Sequence, residues 1–267
     1  MDAVVDLIAE ETLLWREDRG GVATLTLNRP KQYNALSQAM LAALQTELDT
    51  IAGDGSIRVV VLAATGKAFC AGHDLKEMRA NPEKAFQKAL FDQCSRMMMS
   101  INRLPQPVIA RVQGLATAAG CQLVAACDLA VAVESARFAT SGIKVGLFCS
   151  TPAVAVSRNL SRKQAMELLL TGEFIDARTA LQQGLVNRVV PAGELDAAIQ
   201  TFVEAIVSKS PVAVATGKEM FYKQLEMGLE AAYHYASEVM AGNMMAEDAA
   251  EGIDAFIQKR PAVWRGC

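Results

Sequence analysis

Three short runs constrain the fold most: 59–62 (Val-Val-Val-Leu), Val108–Val112 and Leu129–Val133 are apolar at nearly every position. A strand that is apolar on both faces must be buried on both, which requires a parallel sheet covered by helices. The spacing supplies the helices. After a plausible N-cap at Ser37, Met40, Leu41, Leu44, Leu48 and Ile51 recur at helical period until Gly53. A short helical piece over 118–126 joins the second strand to the third, so strand, helix and strand alternate as right-handed βαβ units do. Ahead of them, 12–16 and Val22–Leu27 are β-prone runs separated by Asp18-Arg19-Gly20-Gly21, and they read as a hairpin. Beyond residue 150 the pattern turns helical over 161–170, 176–183, 195–208, Pro211–Gln224 and 229–245, with one short strand at Arg188–Val190.

A chain of 267 residues with 52% hydrophobic content suits one domain with a large core, or a domain with an appendage. The net charge of -3 offers no basic field for nucleic acid, and no apolar run approaches the roughly 18 residues of a membrane span. Four acidic residues precede the first base, which is the reverse of a targeting peptide and reads as cytoplasmic. The six cysteines contain no CxxC, and the two histidines, His73 and His234, stand at no metal-ligand spacing, so we expect reduced thiols and no metal. His234, between two tyrosines on a late helix, suits packing or a contact between subunits. The motifs GxSxG, GxGxxG and a complete phosphate loop are absent.

Chemistry can reside in two glycine-containing turns, Ala68-Phe69-Cys70-Ala71-Gly72-His73-Asp74-Leu75 and the run from Gly114 to Gln122. Each follows a strand and opens into a helix whose first amides lack internal partners. Two such turns side by side could aim two N–H groups at one carbonyl oxygen. The same small residues also serve tight strand-to-helix packing, and spacing alone does not separate the two readings.

The segments FCAGHDL, GLATAAGCQLVAACDLA, LNRPKQYNALS and EGIDAFIQKR resemble the crotonase, or enoyl-CoA hydratase/isomerase, superfamily over essentially the whole chain. The resemblance implies an α/β spiral of ββα units with a C-terminal helical trimerisation region, divided here as an acyl-CoA-binding core over 1–200 and a helical region over 201–267. It implies a trimer or a dimer of trimers, acyl-CoA thioesters as ligands, and no cofactor besides the coenzyme A of the substrate. Carried over by position, oxyanion-hole amides belong to His73, after Ala71 and Gly72, and to Ala119, before Gly120. The two glutamates of the family's hydratases become Gln122 and Gly142, and Ser141 replaces a neighbouring proline. An amide cannot take a proton from water at neutral pH, and glycine carries no group at all. Hydratase activity is therefore expected to be weak or absent.

By the same resemblance, Arg29, Lys31, Asn34 and Ala35 lie along the pantetheine and adenine path. The backbone of Ala71, His73 and Leu75 matches the adenine turn, Lys67 could reach a phosphate, and Phe256 with Lys259 matches an element that covers the nucleotide. Asp74 either serves the site or caps the helix after it. Cys149 and Ser150 occupy a loop where some relatives place a catalytic carboxylate, with His73 the base by topology. A different enolate chemistry (isomerisation, decarboxylation or thioester cleavage) and a non-catalytic assembly role are the alternatives.

Overall fold

The computed structural model describes residues 12–267. The acidic opening residues 1–11 lie outside the described residues. A hairpin starts the chain: β1 (Leu14–Arg19) and β2 (Val22–Leu27) pair antiparallel from Leu14 opposite Leu27 to Arg19 opposite Val22. Its two-residue turn, Gly20 and Gly21, has φ of 58° and 79°, the left-handed values that such a turn demands. Helix α1 (Gln38–Ala52) begins where expected, the Ser37 side chain accepting from Met40 N, and buries Met40, Leu41, Leu44, Leu48 and Ile51. Each such side chain contributes about 1.5–3 kcal/mol by leaving water.

Three successive units follow, and each is strand, strand, helix. The first is β3 (Val59–Ala64), β4 (Ala68–Cys70), α2 (Leu75–Ala80) and α3 (Lys84–Arg103); the second is β5 (Val108–Val112), β6 (Leu115–Thr117) and α4 (Ala119–Ala126). The third is β7 (Leu129–Val133), β8 (Arg137–Ala139), α5 (Ser150–Asn159) and α6 (Arg162–Thr171). After β9 (Ile175–Asp176), α7 (Ala177–Gln182) and β10 (Arg188–Val190) come α8 (Leu195–Val207), α9 (Pro211–Gln224), α10 (Leu229–Asn243) and α11 (Glu247–Gln258).

The first strand of each unit joins a six-stranded sheet, β1-β2-β3-β5-β7-β10, and the second joins a four-stranded sheet, β4-β6-β8-β9. This is the ββα spiral. All six residues of β3 are buried, as a strand covered on both faces must be. Simple βαβ alternation missed the second strands, because the halves of the glycine turns before Ala71 and before Ala118 are three-residue strands, β4 and β6. They pair in parallel with a shift of register between Ala68 and Cys70. The 20-residue α3 and the helices α5 and α11 were also unanticipated. The boundary expected at residue 200 falls inside α8, whose Leu195, Ile199 and Val203 are buried in the core. Among the described residues, no helix is long and apolar enough to cross a membrane.

Candidate functional site

The parallel pairing of β4 with β6 sets the two glycine turns against each other. A Cβ on Gly120 would lie 2.0 Å from the Cys70 carbonyl oxygen, and one on Gly72 would lie 2.8 Å from the Ala118 Cβ and 3.1 Å from Ala119 N. Only glycine fits at either place, and Gly72 further requires it with φ of 91°. Facing it, Ala118 holds φ 51° and ψ -121°, a strained conformation for a residue with a side chain, costing about 1–3 kcal/mol. Its amide is pinned to Ala139 O at 2.9 Å, and the bend lets α4 start at once with Ala119.

Both expected amides are left bare by this geometry. His73 pairs with Leu36 in an isolated parallel bridge, whose bonds run from Leu36 N to Gly72 O and from Asp74 N to Leu36 O. In such a bridge the central residue turns its own amide away from the partner. Ala119 is the first residue of its helix, where amides have no intrahelical acceptor. Neither the His73 nor the Ala119 amide has an acceptor among the described residues.

Side chains at the two turns point inward. The His73 ring meets Phe91 of α3 edge-on, with centroids 5.3 Å apart, and both ring nitrogens are buried without a hydrogen-bond partner. Packing against Phe91 of α3, a helix absent from the sequence reading, turns the imidazole in. Burial pushes the His73 pKa below the usual imidazole value, against the opposing effect of the Leu36 backbone beside the ring. Gln122 lies one turn along α4 from Ala119, is only 4% exposed, and its Oε1 is buried without a partner.

Gly142 sits in a short 3-10 turn, Ser141–Val145, tied back by a 2.7 Å hydrogen bond between the Ser141 and Thr117 hydroxyls. A Cβ at 142 would lie 2.6 Å from the Leu147 carbonyl oxygen and 2.7 Å from Cys149 Sγ. The space of a side chain here is thus filled by the returning loop and by a thiol. Even Gly142→Ala should therefore cost about 1–3 kcal/mol by overpacking, and Gly142→Glu at least as much. A calorimetric scan should show Gly142→Ala melting roughly 2–10 °C below the parent; an unchanged transition would mean the loop yields freely.

The candidate nucleophiles are not activated. Burial raises the Cys149 thiol pKa, and that of neighbouring Cys121 to about 12. Ser150 is exposed and its hydroxyl donates weakly to Phe148 O at 3.4 Å, with no bond to the His73 ring, whose nitrogens have no partners. Ser and Cys nucleophiles need a base in hydrogen-bond reach or a lowered pKa.

Several residues expected on the coenzyme path brace the first turn. Asn34, fully buried with φ of 54°, accepts from Arg29 N and donates to Thr65 O and Ala68 O, so its side chain is spent. The Arg29 guanidinium donates to Ala35 O at 3.0 Å and to Asp74 at 3.1 Å. Asp74 caps α2 by accepting from the Lys76 and Glu77 amides. Burial alone would raise its pKa, but these amides and Arg29 outweigh it and hold the carboxyl below its usual value. Ala71 N is bonded to Tyr33 O, while Leu75 is exposed. Lys31 lies exposed in a 3-10 turn, and Lys67 stands over the Tyr33 ring at 5.2 Å from its centroid. Phe256 and Lys259 are exposed at the end of α11, and His234 is exposed on α10.

A ββα spiral with two bare amides at apposed glycine turns matches one known family over nearly its full length. The model of the enoyl-CoA hydratase/isomerase family matches residues 17–267, and the chain belongs to that family, within the crotonase superfamily. In the family it is similar to enoyl-CoA hydratase domain-containing protein 3, mitochondrial: the human protein is 47% identical over 244 residues, covering 91% of this chain and 80% of the relative. A crystal structure of that human protein superposes with a TM-score of 0.92 at 45% identity, covering 95% of this chain and all of the other. A crystal structure of enoyl-CoA hydratase from Mycobacterium smegmatis gives a TM-score of 0.94 at 59% identity, covering 95% and 99% of the two chains.

Proposed function

We propose that the protein binds acyl-CoA thioesters, seats the thioester oxygen between the His73 and Ala119 amides, and carries out little or no hydration of enoyl-CoA. The observation that carries this reading is the pair of unpartnered amides at turns that admit only glycine at 72 and 120. As negative charge develops on a thioester oxygen, two fixed donors stabilise it, each worth roughly 10² to 10³ in rate. Gln122 and Gly142 supply neither the base that activates water nor the acid that protonates the α carbon. Thioester cleavage through Ser150 or Cys149 gains no support from an unactivated hydroxyl and a raised thiol pKa. A purely structural role is disfavoured by strain kept at Ala118 beside two bare donors. No cofactor enters this reading apart from the coenzyme A of the substrate. The family's trimer, or dimer of trimers, is supported by apolar side chains left in water on the last two helices and the turn between them, among them Leu229 at 77%, Met245 at 80% and Phe256 at 86% exposure.

Titration calorimetry with butyryl-CoA and longer saturated acyl-CoAs tests the binding. A dissociation constant below about 1 mM is expected. Ala119→Pro deletes one donor at the first position of α4, where the missing N–H breaks no intrahelical bond; because the strained Ala118 precedes it, an unchanged circular dichroism spectrum is the control, and binding should weaken about tenfold, the value of one hydrogen bond to a polarised carbonyl. Silence at millimolar ligand from a folded protein would defeat the reading.

A further inference from the structure

Each amide donor follows a residue with positive φ: Gly72 at 91° before His73, and Ala118 at 51° before Ala119. Glycine would take either conformation freely, yet the chain has glycine at only one of them. Tyr33 and Lys259 also have positive φ, but with ψ of 35° and 43° they lie in the left-handed basin that residues with side chains visit. Ala118, with ψ of -121°, lies outside it. Burial does not account for its methyl, since Ala118 is only half-buried while Ala119 and Gly120 are buried.

The methyl touches the other turn. A Cβ on Gly72 would lie 2.8 Å from the Ala118 Cβ, which puts the Gly72 Cα within about 4.3 Å of that methyl, in van der Waals contact. One carbon thus stands between the residue ahead of the first donor and the residue ahead of the second. The register of β4 with β6 runs out at Cys70 and Ala116, two residues before Gly72 and Ala118. The Ala118 amide donates to Ala139 O at 2.9 Å and its carbonyl accepts from Gln122 N at 3.1 Å. Both bonds hold the second turn to its own surroundings, and neither reaches across to the His73 turn.

Resting on the acyl-CoA reading, we infer that Ala118 is a positioning residue whose methyl, braced on Gly72 at the expense of backbone strain, fixes the direction in which the Ala119 N–H meets the thioester oxygen. The ψ angle of residue 118 rotates the 118–119 peptide plane, and the Ala119 N–H lies in that plane. A glycine at 118 accepts a wide range of ψ; an alanine wedged against the opposite turn does not. The strain held at 118 keeps a donor aimed, and donors fixed in advance are what stabilise charge developing on a carbonyl oxygen.

Ala118→Gly separates positioning from ordinary packing, because the two predict opposite signs for stability. Relief of strain should raise the melting temperature by roughly 2–6 °C. The same variant should bind butyryl-CoA about threefold to tenfold more weakly, the worth of one slackened hydrogen bond. Infrared difference spectra of butyryl-CoA labelled with ¹³C at the thioester carbonyl should show its bound band moved part of the way back to the solution value. Ala118→Ser, which keeps the Cβ, should restore the parent's band. A glycine variant with the parent's band and affinity would overturn the inference, as would one that melts below the parent, which would make the methyl ordinary packing. A serine variant whose band matches that of the glycine variant would overturn it too, by taking the effect away from the Cβ. If the parent itself binds no butyryl-CoA, the acyl-CoA reading falls, an outcome distinct from binding that Ala118→Gly leaves unchanged.

Discussion

Purified protein given crotonyl-CoA should lose the conjugated thioester absorbance at less than about 0.1 turnover per second, where typical enzymes run at about 1 to 10³. The expectation follows from what stands at 122 and 142. Each absent general acid or base costs about 10² to 10⁴, and because the two act as a unit the losses do not simply multiply. Amides at His73 and Ala119 could still polarise the thioester, but a polarised enoyl group without a base to activate water stays an enoyl group. Exchange of the missing carboxylates by Gln122→Glu with Gly142→Glu would test the roles only if both side chains fitted. The one at 142 does not: the Leu147 carbonyl lies 2.6 Å from where a Cβ at 142 would be, and that neighbour is backbone. Gln122→Glu alone, which fills one role of two, should remain near background. Parent turnover in the ordinary enzymatic range would show that another residue has taken over proton transfer.

Lys218→Met should lower the melting temperature by roughly 6–20 °C, the equivalent of about 3–5 kcal/mol. Lys218 on α9 reaches into the core, where its ammonium donates to Ile101 O at 2.8 Å, Gln106 O at 3.0 Å and Asp128 at 2.6 Å. Asp128 also accepts from Val108 N at 2.7 Å and from the Tyr222 hydroxyl at 2.8 Å. Burial lowers the Lys218 pKa, and the Asp128 carboxylate opposes that shift. Removing the cation leaves a largely buried carboxylate uncompensated, whereas removing both charges does not. The double variant Lys218→Met with Asp128→Asn should therefore melt above Lys218→Met alone. A single variant that melts within about 2 °C of the parent would show the pair to be solvated. This pair fastens α9 to the starts of β5 and β7, two interior strands of the first sheet.

The residues that could be read in advance are those whose pattern is local. The bounds of β5, β7, β10 and α9 follow from apolar runs and from Ser210-Pro211 at a helix start, and α1 from Ser37 and its apolar period. Three-residue strands such as β4, β6 and β8 are too short for a period of two to register, so one of the two sheets was invisible. Helix α3 did carry a signal, in Leu90, Cys94, Met97, Met98 and Ile101 at helical spacing, and its absence hid the partner of His73. In the site, family resemblance located the amides and the missing glutamates. It could not reveal that Cys149 fills the space beside Gly142, that Asn34 and Arg29 brace a loop, or that Lys218 pairs with Asp128 across 90 residues of chain. Those are facts of packing between distant segments.

If the His73 and Ala119 amides grip a thioester oxygen, the vibration of that carbonyl reports it. Infrared difference spectra of butyryl-CoA labelled with ¹³C at the carbonyl should show that band shifted to lower frequency when bound, because hydrogen bonds to oxygen weaken the C=O bond, and Ala119→Pro should return it towards the solution value. A carbonyl band at the solution frequency on fully bound ligand would contradict the account, whatever the affinity.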